Sequence, residues 1–141
     1  MHPARPFHDT DTGTLVARAR AHSFALVCAT QDGCVTAAHA PILIDETDGN
    51  VALRFHLSAS SAVTAALQAG SRVLIVFTGP DAYISPDWYG LDDQVGTWNY
   101  LSVEAEGTVI PMDDAGATLL LDDLSHLYEA PLAPQARMDP P

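Results

Sequence analysis

Lysine is absent from this 141-residue chain, and its six arginines face eighteen aspartates and glutamates, for a net charge of −12. Proteins that grip duplex DNA do so with clustered lysines and arginines that neutralise phosphates. Arg18 and Arg20 are the only close basic pair, so direct DNA binding is not expected, and the acidic surface reads as a solubility feature. Cysteine is scarce too. Cys28 and Cys34 flank an Asp-Gly turn; they could face each other across a hairpin, but two buried thiols in strands are expected rather than a disulfide. Their spacing is not C-x-x-C and no histidine pair sits beside them in sequence, which argues against a metal site. Long apolar runs are also missing. A stretch such as Val73–Phe77 falls far short of the ~20 residues a membrane-spanning helix needs. The first seven residues hold Arg5 and two prolines with no apolar run behind them, so the expectation is no signal peptide and a cytoplasmic location.

What is present is the composition of a globular domain: 48% of residues are hydrophobic, and glycine and proline are dispersed. A single domain over residues 1–129 is expected, followed by a tail at 130–141 in which four of twelve residues are proline. Asp11–His22 reads as a short helix capped by Asp11 or Thr12. Phe24–Thr30 and a run from Cys34 through Ile44 flank Asp32-Gly33, a strong hairpin signal. After a polar turn, Val51–Leu57 alternates like a half-buried strand that should pair with its predecessor. Ser58–Gly70 suggests a helix of about three turns. Arg72–Thr78 is a continuous run rich in β-branched residues and fits a central strand, broken by Gly79-Pro80-Asp81. A brief strand at Ala82–Ser85, a loop at Pro86–Gly96, a long strand from Trp98 to Ile110 interrupted at Gly107, and a helix from Asp113 to near Tyr128 complete the chain. Hairpins, a helix between strands and a long late strand together indicate an α+β fold, an antiparallel barrel with helices outside.

Polar and aromatic side chains concentrate in Thr36–Leu43, Arg54–Ser61 and Tyr83–Tyr100. The third stretch contains both tryptophans and three of the four tyrosines within eighteen residues, together with Ser85, Thr97 and Asn99. Aromatics with polar tips suit a flat ring ligand or a subunit contact, and equally the packing beneath a long loop. Glu104 and Glu106 share one face of a strand and should face solvent, and no catalytic triad or carboxylate pair follows from spacing.

The string Ala82-Tyr83-Ile84-Ser85-Pro86-Asp87-Trp88-Tyr89, followed by Thr97-Trp98-Asn99-Tyr100 and Val103 through Gly107, resembles the paired signature of the PaiB-type FMN-binding negative transcriptional regulators. Thr36–Leu43 resembles that family's A-T-H-x-P-x-L strand, His56-Leu57 sits where its G-H-L-x-R-x-N-P segment would start, and Arg5-Pro6-Phe7 echoes its opening. The resemblance implies a split β-barrel, antiparallel and Greek-key-like with peripheral helices, that forms a homodimer with FMN at the subunit interface. It marks His39, His56, Ser58, Ser61, Tyr83, Ser85, Trp88, Thr97, Trp98 and Asn99 as flavin-facing candidates. Tryptophan and tyrosine suit the isoalloxazine ring; serine, threonine and asparagine suit its edge and the ribityl hydroxyls.

One departure bears on the phosphate. Where the family carries an arginine after its histidine, this chain reads Ser58-Ala59-Ser60-Ser61, so Ala59 replaces the guanidinium. Arg54, two residues before His56 and so on the same strand face, could compensate, as could backbone N–H groups at a helix start. Two readings follow: an FMN-binding protein acting as a flavin-dependent oxidoreductase or flavin-sensing module, and a regulatory protein of the same fold in which FMN binding is weakened or lost.

Overall fold

In the computed structural model, which describes residues 7–90 and 93–132, three helices accompany two antiparallel sheets. Helix α1 spans Thr12–Ala21; its cap is Asp11, whose carboxylate accepts from the Thr14 N–H at 2.7 Å. Strands β1 (Phe24–Gln31) and β2 (Cys34–Pro41) form a hairpin around Asp32-Gly33, with φ of 52° and 79° at the two turn residues. Positive φ at both positions is the geometry that a two-residue turn needs to match strand twist, and glycine reaches it without strain.

The run after Cys34 is not one strand. Ile42, buried, interrupts it and donates its N–H to the Ser23 carbonyl at 2.8 Å. Beyond it, β3 (Leu43–Thr47) leaves the first sheet and pairs with β4 (Asn50–Arg54) through a second Asp-Gly turn, Asp48-Gly49, again with φ positive at both residues. Strand β4 stops at Arg54 rather than Leu57. Helix α2 is Ala62–Gln68, about two turns instead of three, because Ser61 takes the cap position and leaves Ser58–Ser60 outside.

Strand β5 (Val73–Ile84) lies at the centre of the order β2-β1-β5-β6 and continues through Gly79-Pro80-Asp81, where a break is expected from sequence. A bulge absorbs those residues: Thr78 pairs with Ser102 and Asp81 with Tyr100, three steps on one strand against two on the other. Strand β6 (Thr97–Gly107) is an edge, and ends at Gly107 rather than Ile110. Helix α3 (Asp114–Glu129) is capped by Asp113 and buries Leu120 and Leu124. Residues 133–141 of the expected tail, and Arg5-Pro6, lie outside the described residues.

The fold is thus α+β and antiparallel, of the split-barrel kind, although the two sheets do not close into a continuous barrel among the described residues. The core gathers on one face of the four-stranded sheet, where Ala25, Val27, Val73, Ile75 and Phe77 meet Val63 and Ala66 of α2. Alternation puts the residues between them on the opposite face. The cysteines are free; Cys28 is half-buried and Cys34 exposed, contrary to the expectation of two buried thiols. Cys34 pairs with Gln31 and Cys28 with Ala37, so the two are three residues out of step and point to opposite faces. No described helix is long and apolar enough to cross a membrane.

Phe77, 2% exposed, is among the largest fully buried side chains. Phe77→Ala is expected to cost about 3–5 kcal/mol of unfolding free energy, read as a lowered denaturant midpoint with the slope unchanged.

Candidate flavin-binding face

Register fixes which side chains share the sheet face turned away from the core. On β6, Val103 and Ala105 pack on the core, so Trp98, Tyr100, Ser102, Glu104 and Glu106 occupy the outer face. Tyr83 pairs directly with Trp98, ring centroids 5.7 Å apart and tilted by 59°. Across the sheet, Leu26 lies opposite both His39 and Val76, and Val76 opposite Glu104. The His39 ring stacks on Phe24 at 5.5 Å. The outer face therefore carries two aromatic stations, Phe24–His39 at one end and Tyr83–Trp98–Tyr100 at the other.

These rings are not hidden. Tyr83, Trp98 and Tyr100 are each at least half exposed, and Trp88, in the 3-10 turn Pro86–Tyr89 beside them, is 71% exposed. Ser85 caps that turn by accepting from the Asp87 N–H at 3.2 Å. Gly96 has a role that motif matching does not reveal: a Cβ there would sit 1.9 Å from the Tyr83 hydroxyl oxygen. Only glycine lets the phenol lie across the start of β6. Phe24 and Tyr100 also belong to the face without standing among the sequence-derived candidates; the sign of them was the period-two spacing from Leu26 and Trp98.

The remaining candidates scatter. Thr97 and Asn99 project from the opposite side of β6 to Trp98. His56 is exposed beyond the end of β4, so it does not share a strand face with Arg54. Ser58 hydrogen-bonds Ser60, and Ser61 spends its hydroxyl accepting from the Val63 N–H. Arg54 is committed to carboxylates: it grips Asp45 through Nε and a terminal nitrogen, and donates to Asp123 of α3 at 2.9 Å. This network ties the β3–β4 hairpin to α3. The guanidinium holds the Asp45 carboxyl below its usual range, and the two carboxylates raise the arginine further.

Beside Arg54 and His56 opens a cavity of about 730 Å³, walled mainly by apolar groups including Leu53, Phe55, Ile75, Ala105, Val109 and Leu120. It lies on the core side of the sheet. The outer aromatic face and this cavity are separate features, divided by β5 and β6.

Comparison with known proteins bears on the family. A family model described as "Putative FMN-binding domain" matches residues 1–140. The "Protease synthase and sporulation protein PAI 2" of Bacillus subtilis (strain 168) is 34% identical over 86 residues, 61% of this chain and 41% of that protein. The matched stretch thus spans about two fifths of the length of that relative. The chain belongs to the PaiB-type family of FMN-binding domains.

The residues present fit the two parts of FMN unequally. The exposed rings of the outer face suit the isoalloxazine. The phosphate finds no uncommitted arginine among the described residues: Arg18 pairs with Asp9, Arg20 with Glu46, Arg54 with Asp45 and Asp123, and Arg72 with Glu106.

The lowered Asp45 pKa predicts a pH dependence. An aspartate titrates near 3.9 when unfolded; a folded value below that means the Arg54–Asp45 pair stabilises the protein fully above about pH 4, and the contribution is lost as pH falls through the folded value. Asp45→Asn should lower stability at neutral pH and flatten the loss below pH 4, measured by denaturant titrations across pH.

Proposed function

We propose that this protein binds a flavin on the outer face of its four-stranded sheet, between two copies of the chain, and acts as a flavin-dependent or flavin-sensing module. The observation that carries the reading is the Tyr83–Trp98–Tyr100 cluster, left half exposed on an otherwise complete sheet. Flavin carries its own redox chemistry, hydride or single-electron transfer at the ring; the protein's part is to bind it, orient it and exclude water. Trp98 and Tyr83 would flank the ring, and Tyr100 and Trp88 would shield it from solvent.

Register supports the need for a second copy. His39 and Glu104 stand three strand spacings apart, roughly 14 Å, and Trp98 lies six residues along β6 from Glu104, roughly 20 Å more. One isoalloxazine ring cannot stack on both His39 and Trp98 of a single chain. Two sheets meeting face to face about a two-fold axis would bring the Phe24–His39 station of one copy toward the Trp98 station of the other, and cover the exposed rings of Phe24, Tyr83, Trp98 and Tyr100.

The test is direct. Added FMN should lose fluorescence on saturable binding, and light scattering should give twice the 15.0 kDa chain mass. Trp98→Ala should weaken flavin binding by about tenfold or more, in line with a lost stacking anchor, and weaken self-association with it. A one-chain mass at micromolar protein, or no quenching, would sink the proposal. Loss of flavin with the dimer intact would make Trp98 a ligand contact alone.

Regulation through DNA contact is not part of this reading. The net charge of −12 and the absence of lysine predict no gel shift at physiological salt with micromolar protein; a shift with a steep salt dependence would contradict that.

A further inference from the structure

The outer face that presents the aromatic cluster has a charge character that selects among flavins. Following the register across all four strands, its ionisable side chains among the described residues are His39, Cys28, Asp81, Glu104 and Glu106, besides tyrosines, and the one arginine that reaches it is Arg72, paired with Glu106. The two arginines closest to the aromatic cluster's sheet are already paired. Arg18, paired with Asp9, lies beside His22, Gly79 and Leu101 on the core side of β6, and Arg72 pairs with Glu106 at the far end of the sheet from Trp98. The turn next to Trp88 adds Asp87, and Asp93 follows it. A second copy meeting this face would bring the same described residues, its own Arg72 again paired with Glu106.

Phosphate at neutral pH carries between one and two negative charges. Sites that recognise it hold it with arginine, lysine or a helix start. The helix that begins nearest the serine run, α2, is only seven residues long, and its cap is already filled by Ser61. Each hydrogen bond to a charged group contributes about 1.5–3 kcal/mol, so a fixed cation on phosphate would favour FMN over riboflavin by roughly 10–150-fold. Without one, that preference disappears, and the carboxylates oppose the dianion.

We infer that this face recognises the neutral part of the flavin, the ring and ribityl chain, and binds riboflavin as well as it binds FMN. The inference rests on the flavin reading above. Fluorescence quenching of riboflavin and of FMN by the full chain, each at low and at near-physiological salt, tests it. Expected are dissociation constants within about threefold of each other, with FMN binding strengthening as salt screens the carboxylates and riboflavin binding unchanged. A preference for FMN of tenfold or more that weakens with salt would overturn the inference and leave the flavin reading standing. Failure of both ligands to bind would overturn both.

Discussion

One face of a four-stranded antiparallel sheet is buried and the other is half-buried at its middle and exposed at its aromatic ends, and the rest of the structure depends on that asymmetry. Val27, Ile75 and Phe77 point inward under α2 and give the chain its core. Strand pleating then obliges their neighbours Leu26, Val76 and the residues paired with them to point outward. A strand cannot hide both faces unless something covers the second, and here no helix does so among the described residues. The bulge at Thr78–Asp81 extends the arrangement: by absorbing one extra residue it keeps Tyr83 in register with Trp98, where an unbulged strand would have put the phenol on the other side.

Much of this was legible in the sequence. Both Asp-Gly pairs mark turns with positive φ, the β-branched Arg72–Thr78 run lies at the centre of the sheet, and the aromatic-rich Tyr83–Tyr100 stretch does gather on one surface. The errors have physical causes. Gly79-Pro80 signals a break when read locally, yet a proline can occupy a bulge, where no ladder hydrogen bond is asked of it. The Cys34–Ile44 run looks continuous because period-two alternation persists while the chain changes sheets at Ile42; only the Ser23 carbonyl that receives the Ile42 N–H records the bend. Helix α2 is shorter than expected because three serines, Ser58, Ser60 and Ser61, can each cap it and pattern alone does not choose among them; Ser61 does.

Site residues were harder to read than strands. Motif order places Trp98, Asn99 and Thr97 together, but adjacency along a strand separates side chains onto two faces, so Trp98 and Asn99 do not converge. Arg54 illustrates the other limit. As a lone basic residue near a suspected phosphate site it invites a ligand role, whereas its partners Asp45 and Asp123 stand 9 and 69 residues away in sequence and become visible only when β3, β4 and α3 are assembled. A guanidinium shared by two carboxylates is a structural tie, and releasing it to a phosphate would leave both carboxylates without their partner.

In the proposed assembly the aromatic sheet face is a shared surface that two chains close over a flavin. Sedimentation velocity of the full chain with flavin, recorded at the visible absorbance of the ring, examines that claim at its centre. The account predicts that colour travels with a two-chain species and is absent from any one-chain boundary. Colour sedimenting with a single chain, or remaining unsedimented while protein moves, would contradict it.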